Sequence, residues 1–69
     1  MNLSTDDRGV IKKIKLPKES KFRLDTLGVK VGQELVVIAF SPFKSNVLIK
    51  INGFYLGLNK AVAKGIYVE

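Results

Sequence analysis

The side chains that could do chemistry in this sequence are few in kind. Six carboxylates are present, Asp6, Asp7, Glu19, Asp25, Glu34 and Glu69, and there is neither histidine nor cysteine. Without thiol or imidazole there are no disulfides, no thiolate or imidazole metal ligands, no Cys or His nucleophile and no histidine general base. An oxygen-only site for a divalent cation needs several carboxylates converging on one point. Only Asp6 and Asp7 are adjacent here, with Arg8 beside them. The acids therefore read as ordinary surface residues, with no metal ligand and no cofactor expected among them. A buried lysine or a base-paired serine can act as a nucleophile, but no orienting partner accompanies either. No GxxxxGK[ST] loop marks a nucleotide phosphate site. Catalysis is not expected, and no catalytic residue is assigned.

What remains is charge. Twelve Lys and Arg stand against six Asp and Glu, a formal net charge of +6, and eight of the twelve bases fall between Arg8 and Lys30. Such a stretch suits nucleic acid, an anionic membrane surface or an acidic protein partner. The same lysines also serve as a solubilising face. The stripe from Lys12 to Arg23 holds one aromatic, Phe22, whereas single-strand binders stack several bases on aromatics between cations. Phe22 is expected instead to pack against the body of the fold.

The elements that position these charges follow from pattern. With 69 residues, 46% of them hydrophobic, one domain spanning 1–69 is expected, with little apolar surface left over for an enclosed pocket. Gly9 to Leu16 reads as a first strand, with a bulge near Lys12 and Lys13 required if Ile11 and Ile14 are both to face inward. Lys18 to Leu27 reads as one short helix, started by Pro17 or Ser20 and ended by Gly28. After the connector Val29 to Gly32, Gln33 to Phe40 is a nearly continuous apolar strand and the natural centre of a sheet. Ser41 to Asn46 is a polar turn cluster, and Val47, Ile49 and Ile51 alternate with polar positions beyond it. Asn52 and Gly53 form the dipeptide of a tight type I′ hairpin, leading into a strand with Phe54, Leu56 and Leu58 on one face. A helical or 3₁₀ turn at Asn59 to Lys64 and a last strand, Ile66 to Val68, close the chain. The longest apolar run, Leu35 to Phe40, is far too short to span a bilayer, and Met1 to Asp7 does not read as a secretory signal. The chain is expected to be cytoplasmic.

Taken together, Gly9 to Ile14 (GVIKKI), Arg23 to Gly32 (RLDTLGVKVG), Leu35 to Pro42 (LVVIAFSP) and Val47 to Val68 resemble the FeoA family, and are also similar to the C-terminal module of DtxR-type repressors. The resemblance implies an all-β fold, a small five-stranded SH3-like barrel with one short helix inserted after the first strand. It further implies an accessory or regulatory role in bacterial ferrous iron uptake, through contact with an FeoB-type membrane permease bearing a cytoplasmic GTPase domain. A small-barrel nucleic-acid-binding protein is the alternative.

Within RLDTLGVKVG, Leu24 and Leu27 are expected to plug the barrel, Gly28 to reverse the chain and Gly32 to begin the next strand, with Gly53 in the later hairpin. Leu24, Leu27, Ile38, Ile49 and Leu56 are expected in one core. Strands of a barrel satisfy one another, so the surface free to bind a partner is the helix, its exit and the loops. The candidate contact residues are accordingly Lys18, Lys21, Arg23, Val29 and Lys30, together with Phe43. Phe43 lies in the polar loop, where it serves either as an anchor for a partner or as a cap over the barrel end.

Overall fold

The computed structural model describes residues 3–69, so Met1 and Asn2, part of the stretch read as lacking a secretory signal, lie outside the described residues. The element order is β1 (Arg8–Ile14), α1 (Lys18–Thr26), β2 (Glu34–Phe40), a 3₁₀ turn (Pro42–Lys44), β3 (Asn46–Ile51), β4 (Phe54–Asn59), α2 (Lys60–Lys64) and β5 (Ile66–Val68). The five strands form one antiparallel sheet in the order β4-β3-β2-β1-β5, the small SH3-like fold expected.

β1 is shared between two partners, and that division curls the sheet. Arg8, Gly9 and Val10 pair with β2, whereas Ile11, Lys13 and Ile14 pair with β5. The register shifts between Ile11 and Lys13, so the expected bulge is present at Lys12. Its effect is to bury Ile11 completely while Ile14, three residues on, also packs against the core. A second register shift lies in β2 between Val37 and Ala39. Leu35 and Val37 are fully enclosed, so strand alternation puts Ile38 on the opposite face, half-buried, and the shift after Val37 lets Phe40 rather than Ala39 pack against the core. The expectation that Ile38 belongs to the core is thus corrected, because it lies on the face of β2 opposite Leu35 and Val37.

In β3, Val47, Ile49 and Ile51 all point inward. Opposite them in β4, Leu58 is buried while Leu56 is half-buried and packs at the core's edge, less enclosed than expected. The hairpin between these strands turns at Asn52 and Gly53, whose φ values of 52° and 80° are those of the type I′ turn the dipeptide favours. Asn52 Nδ2 also donates to the Gly28 carbonyl at 2.7 Å, tying this hairpin to the end of α1.

The end of α1 decides which apolar side chains enter the core. Leu27 is the last, half-helical residue, and Gly28 follows with φ 83°. The Gly28 N–H donates to the Asp25 carbonyl and the Val29 N–H to the Leu24 carbonyl, each at 2.9 Å. That pair of bonds is the Schellman arrangement, in which the residue after the glycine packs back on the helix's last inward side chain. Here that residue is Val29. Val29 is 1% exposed and joins Leu24 in the core, whereas Leu27 is 41% exposed. Leu24 and Val29 therefore fill the barrel end, and the role expected of Leu27 is not its own.

Candidate functional site

Helix α1 has little apolar content, and its inward face consists of Ser20 and Leu24, one turn apart. Phe22 lies two residues from each, about 200° round the helix axis. It consequently points to solvent, 72% exposed, and does not pack against the barrel as its residue type suggested. A helix of this phase can bury Leu24 or Phe22 but not both.

Phe22 forms a ridge between two open grooves. One, of about 450 Å³, is lined by Ile14, Lys18, Lys21, Lys30 and Val31. The other lies among Glu19, Arg23, Thr26 and Leu27. Of the expected contact residues, Lys18, Lys21 and Lys30 are thus brought together, and Arg23 is placed across the ridge from them. Val29 touches the first groove but is core, because the Schellman turn draws it inward, so it is removed from the contact surface. Its place is taken by Val31, 59% exposed, which sequence reading passed over as part of a connector. The signal was available: once Gly28 is assigned to the position after the helix end, Val29 must turn in.

The electrostatics of this face are set by three lysines against one carboxylate, Asp25, which also lines the first groove. Lys30 Nζ lies 4.0 Å from Asp25 Oδ1, with both side chains more than half exposed. A pair of this kind contributes at most about 1 kcal/mol in water. Arg8 with Glu34 and Lys12 with Glu69 are similar exposed pairs elsewhere on the surface. Lys18 and Lys21 belong to none of the ion pairs among the described residues. Exposed phenyl and isopropyl groups ringed by such lysines make a surface whose complement is apolar at its centre and acidic at its rim.

The carboxylates stay dispersed. Among the described residues no three of His, Cys, Asp and Glu come close enough to hold a metal ion. Asp7 accepts a hydrogen bond from the Ser4 N–H at 2.9 Å and so serves a local turn.

Phe43 is 99% exposed, which rules out its folding back as a cap over the barrel end. Its φ of 64° and that of Lys44, 54°, are left-handed values that cost free energy in residues other than glycine. The loop is braced around Ser41, whose Oγ accepts from the Asn46 N–H at 2.8 Å and lies 2.9 Å from Ser45 Oγ. Neither groove beside α1 includes a residue of this loop, so Phe43 and the α1 face are separate surfaces. Gly32, with φ 96°, donates its N–H to the Ile11 carbonyl and sets the entry to β2 two residues later.

No curated protein matches this chain in sequence. Solved structures do match. The solution structure of the FeoA protein from Chlorobium tepidum is 28% identical and superposes with a TM-score of 0.92 over 99% of this chain and 65% of that one. Iron(II) transport protein A from Clostridium thermocellum is 25% identical, with a TM-score of 0.91, covering 99% of this chain and 42% of that one. The chain therefore spans less than two thirds of the length of either protein. A manganese-dependent transcriptional repressor shares the fold at 20% identity, with a TM-score of 0.88 over 97% of this chain and 33% of the repressor. The FeoA domain model matches residues 1–69. With the whole sequence matched and the same curled five-stranded sheet in its relatives, the chain belongs to the FeoA family, which is associated with ferrous iron transport.

Proposed function

We propose that this protein is an accessory or regulatory component of bacterial ferrous iron uptake. It acts in the cytoplasm by protein contact and not by catalysis, and its partner is the cytoplasmic part of an FeoB-type GTPase-permease. One observation carries the reading: Phe22 and Val31 stand exposed beside an open groove ringed by Lys18, Lys21 and Lys30. Exposed apolar groups flanked by like charges are costly to leave in water and fit an apolar, acid-rimmed patch. No helix among the described residues is long and apolar enough to cross a membrane, so in this reading the transport path belongs to the partner.

The test is a Phe22→Ser variant and a separate Lys18→Glu/Lys21→Glu variant. Both should fold like the parent, because the three side chains are exposed. Both should weaken pull-down of the permease's cytoplasmic domain and lower Fe²⁺ uptake in cells. The charge reversals should act mainly on the association rate and its salt dependence. Parent-like pull-down and uptake by both folded variants would refute the assignment of this face.

The exposure of Phe22 also favours a second reading, since an exposed ring beside lysines is what base stacking requires. A nucleic-acid-binding protein would shift single-stranded or duplex oligonucleotides at about 150 mM salt, with affinity falling steeply as salt rises. The adaptor reading expects only feeble, non-specific shifts.

A further inference from the structure

The sheet ends in two edges, β4 and β5. β5 has three residues and is flanked by Lys64 and Glu69, the short, charged form by which proteins blunt an edge. β4 itself carries none of the devices by which a strand's own sequence blunts an edge. It is six residues long, FYLGLN, without a charge or a proline, and its pairing to β3 runs from Asn46–Asn59 to Ile51–Phe54 without a bulge. Alternate residues of an edge strand turn their N–H and C=O away from the neighbour. Apart from the ladder to β3, no backbone hydrogen bond among the described residues reaches 54–58.

At the middle of this edge stands Gly57, and nothing among the described residues accounts for it. Its φ is not left-handed, and a Cβ built on it would meet no atom within 4 Å. The register opposite Leu48 is unbroken on both sides. With bend, bulge and crowding set aside, the remaining use of a glycine inside a strand is the close approach of a ligand or another backbone. The surroundings say what kind of chain that is. From Leu35 to Val68 there are four lysines, Lys44, Lys50, Lys60 and Lys64, and no acidic residue. A second copy of the chain would bring its own +6 to this edge, which like-charge repulsion opposes.

We propose that β4 is a strand-addition site for an extended, acidic segment of another protein, which pairs with the outer backbone of 54–58 across Gly57. Main-chain hydrogen bonds supply the affinity, and alternate side chains of the added strand supply the selectivity. A groove of about 130 Å³ between α1 and β4, walled by Leu24, Leu27, Leu56 and Val62, lies beside the edge and receives one apolar side chain of the incoming segment. This surface is distinct from the groove on the far side of Phe22, and the inference does not depend on the identity of the permease partner.

The probe is a capped peptide of about six residues alternating valine and glutamate, titrated to about 1 mM against the isotope-labelled chain. Chemical-shift changes should centre on 54–58, with amide exchange there slowed about tenfold. N-methylation at alternate peptide positions should abolish binding, which a contact made by side chains alone would not show. Replacing glutamate by lysine in the peptide should abolish it too. Gly57→Val should weaken binding about tenfold without lowering the melting temperature. Gly57→Ala serves if the valine variant fails to fold. The proposal is overturned if the peptide leaves 54–58 unperturbed, if shifts map to the Lys18–Lys21 groove, or if N-methylation changes nothing. It is overturned equally if sedimentation shows a dimer of the chain that Gly57→Val dissociates, for then the occupant is a second copy.

Discussion

Gly65→Ala offers a sharp test of the packing, because the chemistry of the change is minimal and its consequence is set by two neighbouring residues, Lys15 and Leu16. Gly65 ends α2 with φ −84° and ψ −5°, values open to any residue, so the backbone itself does not demand glycine. The demand is steric. An alanine Cβ would contact Leu16 Cδ2, lie 2.6 Å from Leu16 Cγ and sit 2.5 Å from the carbonyl oxygen of Lys15. The leucine can rotate away, but the carbonyl cannot. Lys15 is fixed against Gly65 by its own N–H, which donates to the Gly65 carbonyl at 2.7 Å. Separating the two segments enough to admit the methyl group costs about 1 to 3 kcal/mol as overpacking. Losing that hydrogen bond costs about 1 kcal/mol more. The reduced freedom of the unfolded alanine chain returns about 0.4 to 1 kcal/mol. A net loss of about 2 kcal/mol lowers Tm by about 8 to 16 °C in a domain of this size. Thermal melts followed by circular dichroism read this directly, with Gly57→Ala, where the new methyl meets nothing, as the control whose Tm does not fall. A Gly65→Ala protein melting within about 2 °C of the parent would refute the close approach of β5 to the segment after β1.

Three further changes test the helix ends. Leu24→Ala should cost about 2 to 5 kcal/mol, while Leu27→Ala, at a half-exposed position, should cost less than about 1 kcal/mol. Equal costs in denaturant titrations would show that Leu27 is packed as deeply as Leu24, against the Schellman arrangement that leaves Leu27 outside the core. The Asn59 side chain caps α2 by accepting from the Val62 N–H at 2.8 Å. Asn59→Ala should therefore cost about 1 kcal/mol, and an unchanged denaturation midpoint would show that the cap contributes nothing.

What the sequence determined by itself was the order and kind of the elements. Val47, Ile49 and Ile51 alternate at the strand period, and all three are buried. Ile11 and Ile14 violate that period, which required a bulge between them, and the register shifts there. Asn52 and Gly53 specified their turn because both residues tolerate positive φ. These are local properties, fixed by neighbours one to three residues away. The position of Val29 was legible too, once Gly28 is placed just beyond the helix end, since that geometry turns the next residue inward.

Tertiary structure alone decided the rest. Whether Phe22 or Leu24 faces the sheet depends on the phase at which α1 docks, which the helix's own sequence leaves open because both residues are apolar and neither face is strongly so. That phase exposes Phe22 and brings Lys18, Lys21 and Lys30 to one groove, although Lys30 follows the helix by four residues. β2 is apolar on both faces, so its sequence did not mark whether Val37 or Ile38 faces the core, and its bulge had no signal either. Gly57 and Gly65 look alike in the sequence. One stands on an open edge and the other against a carbonyl from a segment fifty residues earlier in the chain, and only the path of β1 between β2 and β5 makes that difference.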